Sequence, residues 1–131
     1  MEGLKFLVAN GAIPDSLWPT NAIDRKCATP ANIARGLDFR VKRWIECRPR
    51  NINELMSMLL RRTPGAGGFN WWGHEVSLID ALWLDGAPAM RIRNQWITWN
   101  GAQQFGFGIL RGSKMLPDDM VFVQSSMTTA V

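Results

Sequence analysis

The 131 residues match the usual size of a single domain, long enough to bury roughly two thirds of the surface that an unfolded chain exposes. Hydrophobic residues make up 47% and charged residues 20%, which excludes disordered, collagen-like and disulfide-scaffold classes. No window nears the roughly 18 to 20 apolar residues of a membrane span, and MEGLKFLVANG is too short in its apolar run for a secretory leader, so a soluble, unexported chain with no membrane partner is expected.

In residues 2–10, Leu4, Leu7 and Val8 recur at helical spacing ahead of Gly11, which predicts a short amphipathic helix ended by a left-handed glycine. Pro14, Pro19 and Pro30, with Asp15, Ser16, Thr20, Asn21 and Asn32 around them, predict an extended surface loop over 12–37. At most one helical turn is expected there, near 30–35. Residues 38–47 alternate as a strand, Phe39, Val41 and Ile45 against Arg40, Lys42 and Trp44, with Arg43 marking a bulge or an edge. Asn51 and Glu54 form a capping pair for a helix carrying Leu55, Met58 and Leu59, closed by Arg61 and Arg62. The TPGAGG run at 63–68 predicts a break. Everything after it reads as strand: GFNWW, GHEVSLIDALWL, a D-G-A-P turn at 85–88, AMRIRNQW, FGFGIL and MVFV. The expected class is α+β, one antiparallel sheet or half-barrel covered by two helices in a single domain over 1–131.

Charge is concentrated in one place. Residues 35–50 hold Arg35, Arg40, Lys42, Arg43, Arg48 and Arg50 against Asp38 and Glu46, so the whole formal +4 lies in this segment. A local basic stripe is the footprint of an anionic partner, and nucleic acid held by Arg40, Lys42 and Arg43 with Trp44 stacking is one reading. A solvated strand face is the favoured one. Cys27, Cys47 and His74 are scattered without C-x-x-C or H-x-x-x-H spacing, so no metal and no cofactor are expected, and in a reducing compartment both thiols should be free.

The hairpin centred on Asp85 and Gly86 serves as a ruler for what faces what. It sets His74 opposite a residue near position 97 and Asn94 opposite one near 77, both at the open end of the hairpin, where a modest bulge would bring them into register. His74 shares a face with Val76 and Leu78, and Asn94 with Met90 and Ile92. A polar pair therefore caps an apolar face.

G-H-E-V at 73–76, R-N-Q-W at 93–96, W-N-G at 99–101 and G-F-G-I-L at 106–110 together resemble the C-terminal half of papain-like cysteine peptidases. The helix ending in N-G-A-I-P, the W-P-T stretch leading to Cys27, and the helix near 51–62 follow that family's order of elements. W-W-G-H with P-D-D at 117–119 is most similar to small papain-like proteins of bacteriophages. The resemblance implies the family's right-hand domain, with His74 as general base, Asn94 as the amide that orients it and Trp96 as the indole that shields the pair. Gln95 and Ile97 depart from the family pattern, and Trp99 comes one position early. The family's nucleophile lies upstream of the matched part, in a Q-x-x-x-x-x-C-W context at a helix start that this sequence lacks. Cys27 falls where relatives often place a disulfide cysteine, and Cys47 at a strand end. Neither has a setting that lowers a thiol pKa.

The resulting expectation is a non-catalytic papain-like protein, a structural or assembly component of a bacteriophage virion or of the host cytoplasm, with His74 and Asn94 as a relic or partial site. Its partners would be other virion proteins, met through Trp71, Trp72 and Trp96 and through the 35–50 stripe. Because adjacent strand residues point to opposite faces, at least one of Trp71 and Trp72 should face outward. The alternative is the His/Asn half of a split cysteine peptidase whose Cys comes from another chain.

Overall fold

The computed structural model describes residues 2–18, 25–96 and 106–125. The chain divides into two compact units, residues 1–44 with 124–131, and residues 45–123.

The first unit opens with helix α1 (Glu2–Asn10). Gly11 ends it at φ +73°, its N–H donating to the Leu7 carbonyl over 3.0 Å. A Cβ at Gly11 would lie 1.9 Å from the Gly36 carbonyl oxygen, so the end of α1 and the end of α2 (Pro30–Gly36) touch through bare backbone. Helix α2 lies where a helical turn is expected near 30–35 and extends it to seven residues. Thr29 accepts from the Asn32 N–H over 3.2 Å and Pro30 takes the first turn, where its missing N–H costs nothing. A proline read as a breaker is here a starter, and the described part of 12–37 also holds 3₁₀ turns at Asp15–Leu17 and Arg25–Cys27. Another 3₁₀ turn, Leu37–Phe39, replaces the first residues of the expected strand, so β1 runs only over Val41–Glu46. Within β1 the neighbours Trp44 and Ile45 are both half-buried, which breaks the expected alternation. Pro19, Thr20 and Asn21 lie outside the described residues.

In the second unit, helix α3 (Ile52–Leu60) buries Leu55, Met58 and Leu59. Asn51 Oδ1 accepts from the N–H groups of Asn53 and Glu54, both over 3.1 Å. The reciprocal half of the capping box is absent. Glu54 accepts from the Asn51 side-chain Nδ2 over 3.3 Å, and from Arg48 through its backbone N–H over 2.7 Å and its Nε over 2.6 Å.

The sheet has six strands in the order β1-β6-β2-β3-β4-β5, completed by β2 (Gly65–Phe69), β3 (His74–Leu84), β4 (Ala87–Arg93), β5 (Phe107–Arg111) and β6 (Asp119–Ser125). The glycine-rich run expected to be a break is β2, paired on both edges. Its glycines answer crowding, not flexibility. A Cβ on Gly65 would meet the Phe122 ring at 2.6 Å, one on Gly67 would meet Leu78 at 2.9 Å, and one on Gly68 would meet Asp119 Oδ1 at 2.3 Å. Trp71 and Trp72, expected on a strand, sit in the turn between β2 and β3, and β4 ends at Arg93, short of Trp96. The core joins α3 to the inner face of the sheet through Phe69, Val76, Leu78, Met90, Ile92 and Phe122. α+β with one antiparallel sheet is therefore the class, with three helices among the described residues instead of two.

Candidate active site

His74 opens β3, directly after a turn closed by two N–H donors, Trp72 over 3.0 Å and Gly73 over 2.7 Å, onto the Phe69 carbonyl. Gly73 takes φ +64°. Asn94 follows the last residue of β4, its backbone N–H donating to the Gly106 carbonyl over 2.8 Å. Gly106 must be glycine, because φ is +82° and a Cβ would lie 2.3 Å from the Asn94 carbonyl oxygen. The start of β5 thus clamps the end of β4.

The two side chains meet: His74 Nε2 lies 3.0 Å from Asn94 Oδ1. The same Oδ1 accepts from the Trp96 backbone N–H over 3.2 Å, and only the oxygen of an amide can do so, which fixes which way the amide faces. His74 Nε2 must then be the donor. In the neutral ring Nδ1 is left with its lone pair, ready to accept a proton. Asn94 is 2% exposed, and its Nδ2 is buried without a hydrogen-bond partner among the described residues.

Aromatic rings enclose the imidazole. Trp96 stacks on it at 4.3 Å and 9° between planes, and Trp72 meets it edge-on at 5.0 Å. Trp71 stacks on Trp72 at 5.3 Å and takes the Lys114 ammonium over its own ring at 5.2 Å. Trp71 remains 45% exposed and Trp96 51%. One of the Trp71–Trp72 pair does face outward, but turn geometry sets this, not strand alternation. A recess of about 370 Å³ opens beside the ring, lined by Phe69, Asn70, His74, Glu75, Asp118 and Asp119. The Asn70 N–H holds the Asp118 carboxyl below the usual range, with Arg50 adding to the effect.

The other residues singled out in the sequence lie elsewhere. Arg40 follows the Leu37–Phe39 turn, and Lys42, Arg43 and Trp44 lie on β1, all in the first unit. Within the basic segment Arg35 pairs with Asp38 at 2.7 Å, Arg48 with Glu54 at 2.6 Å and Arg50 with Asp118 at 3.2 Å. These three carboxylates already neutralise part of the stripe, and two of them lie outside the segment. Cys27 and Cys47 are free thiols. Burial pushes the Cys47 thiol up and the Glu54 carboxylate adds to this, the reverse of what a nucleophile needs. Among the described residues no three metal-ligating side chains gather. Ile97 and Trp99 lie outside the described residues.

No protein-family model and no curated protein matches the sequence. Solved structures do. Digestive procathepsin L 3 of Tenebrio molitor larval midgut superposes with a TM-score of 0.73 at 12% identity, over 92% of this chain and 46% of its own. Procathepsin L2 of the same tissue gives 0.71 at 15% identity, over 94% and 46%. A chain from the structural comparison of the mite allergens Blo t 1 and Der p 1 gives 0.69 at 18%, again over 94% and 46%. The structural neighbours are papain-like cysteine peptidases, and the fold is that of their right-hand domain. This chain spans about half the length of each.

Proposed function

We propose that this chain is the base-bearing half of a papain-like cysteine peptidase site. His74 is the proton acceptor and donor, Asn94 the amide that orients it, and Trp96 the shield of their hydrogen bond. The nucleophilic cysteine and the oxyanion donors come from a second half, on another chain or in sequence outside these 131 residues. The observation that carries this reading is the Asn94 oxygen fixed between His74 Nε2 and the Trp96 N–H, which leaves Nδ1 as the free base. In the completed site the S–H proton passes to Nδ1, the thiolate attacks the substrate carbonyl, and the imidazolium returns that proton to the leaving amine. A residual relic has no need of so complete a second layer of contacts.

The test uses the complex recovered through a tag on this chain from cells that make it. A thiol-directed peptidase probe should label the cysteine of the second half, on a partner or on sequence joined to this chain, and His74→Ala should abolish the labelling. Labelling that survives His74→Ala, or a complex with no reactive cysteine at all, rejects the proposal.

The second reading is a non-catalytic structural or assembly component, for instance of a bacteriophage particle. It draws on exposed aromatic surface: Trp83 is 71% exposed, and Trp71 and Trp96 are about half exposed. Trp is the residue most enriched at interface hot spots. A stable multi-chain particle containing this protein but lacking any reactive cysteine would favour this reading. Nucleic-acid binding through residues 35–50 has less support, because Arg35, Arg48 and Arg50 are already paired.

A further inference from the structure

The P-D-D segment at 117–119 has no part in the chemistry above, yet it holds the end of β2 and the turn that follows. The Asp118 N–H donates to the Gly68 carbonyl over 2.8 Å, and Asp119 Oδ1 accepts from the Gly68 N–H over 2.8 Å. Asp118 Oδ2 reaches one step further and accepts from the Asn70 N–H over 2.8 Å. Its other oxygen, Oδ1, is held by Arg50 Nη1 at 3.2 Å. Asn70 begins the turn that carries Trp71 and Trp72. The other side of that turn is tied to the same stretch of chain, since Trp71 Nε1 donates to the Lys114 carbonyl over 3.2 Å.

We infer that Asp118 is a positioning residue for His74: by fixing the Asn70 N–H it sets the turn that holds Trp72 in its T-shaped contact with the imidazole. Among the described residues the imidazole meets the Asn94 oxygen, the Trp96 face and, in a T-shaped contact, the Trp72 ring. The first two come from the residues that follow β4. Trp72 comes from the turn between β2 and β3, its ring 6.4 Å from that of Trp96, and its direction depends on that turn. The turn's own closing bonds run to Phe69, whose neighbour Gly68 is gripped by both aspartates, so the anchor is continuous from Asp118 to Trp72. The depressed Asp118 carboxyl agrees with an oxygen engaged as an acceptor. What the positioned ring is for rests on the base-bearing reading above. That it is positioned does not.

The chain has one histidine, so its ring protons give a single set of NMR signals, shifted by the stacked and edge-on indoles. Asp118→Ala should move those signals toward the values of a free imidazole and broaden them, while the core methyl signals stay. Asp118→Asn, which keeps an acceptor for Asn70, should restore them. Arg50→Gln, which removes the ion pair and the Arg50 bonds to the Ser113 and Leu116 carbonyls but leaves the Asn70 N–H on Asp118, should lower the melting temperature and leave the ring signals in place. If Asp118→Ala does not fold, an amide-to-ester replacement at Asn70 removes that single donor and should reproduce the shift. A folded Asp118→Ala or Asn70 ester variant with unchanged His74 ring signals would overturn the inference. The probe-labelling experiment fails or succeeds independently: ring signals that move as described, with no reactive partner cysteine, would leave this inference standing and remove the peptidase reading.

Discussion

Leu78 on β3 faces Ile92 on β4, not Arg93, and that one-residue shift is what lets His74 reach Asn94. From Leu84 opposite Ala87 to Asp80 opposite Arg91 the hairpin runs in one register, which would continue to Leu78 opposite Arg93 and Ser77 opposite Asn94. Facing residues share a side of the sheet, so Asn94 would then lie on the Ser77 side, away from His74. The bulge at Ile79 changes the parity. With Ser77 opposite Arg93, Asn94 shares the side of Val76, and His74 lies diagonally one step on, within reach of a side-chain hydrogen bond. Ile79, the extra residue, has no ladder partner. Its amide should exchange with solvent markedly faster than those of Leu78 and Ala81, and equal protection of all three would mean that the bulge is not there in solution.

Gly68 gives a second check. Alanine there would place Cβ 2.3 Å from Asp119 Oδ1, so the aspartate must move and release the Gly68 N–H. The expected cost of Gly68→Ala is on the order of 1–3 kcal/mol, the usual range for overpacking, measured by denaturant unfolding. A change within a few tenths of a kcal/mol would show that β2 and β6 are less closely apposed.

That same strand shows where the sequence could and could not be read. Helices α1 and α3, the Asp85–Gly86 turn and the strands after it follow from spacing and turn chemistry, because their apolar residues recur at the period of the element. β2 does not: four of its five residues are glycine or alanine, and the reason lies in Phe122, Leu78 and Asp119, which come from elsewhere in the chain. Pro30 misled for a related reason, since a proline at a helix start and one in a loop look alike until Thr29 is seen capping. His74 and Asn94 could be found from hairpin arithmetic plus a bulge. The anchoring role of Asp118 could not, because Asn70 and Asp118 are far apart in sequence and joined only by the pairing of β2 with β6.

Acid should loosen the fold at identifiable places. The Glu54 and Asp118 carboxyls both lie below their ordinary values, each held first by a backbone N–H, of Arg48 and of Asn70. A group whose folded pKa is depressed contributes stability above its unfolded pKa, and that stability is lost as pH falls through the folded value. The melting temperature should therefore be unaffected by these two groups well above about pH 5 and fall below about pH 4, the range of an unfolded carboxyl. Glu54→Gln should make that fall shallower. A profile of identical slope in the variant would remove Glu54 from this account.

Purified alone, the chain should hydrolyse no peptide substrate, because a base without an activated thiol and oxyanion donors cannot form an acyl-enzyme. Turnover abolished by His74→Ala would refute this. The same substitution should cost only about 1 kcal/mol of stability, the scale of one net hydrogen bond. A loss several times larger would make the imidazole a structural element.

The most direct measurement is the nitrogen NMR spectrum of the single imidazole in the neutral protein. The Asn94 oxygen, held by the Trp96 N–H, requires the proton on His74 Nε2. Nε2 should therefore resonate as a protonated, pyrrole-like nitrogen and Nδ1 as an unprotonated one, with Asn94→Ala collapsing the distinction toward the free-imidazole mixture. A proton found on Nδ1, or a tautomer ratio untouched by Asn94→Ala, would contradict the claim that this chain holds His74 as a base.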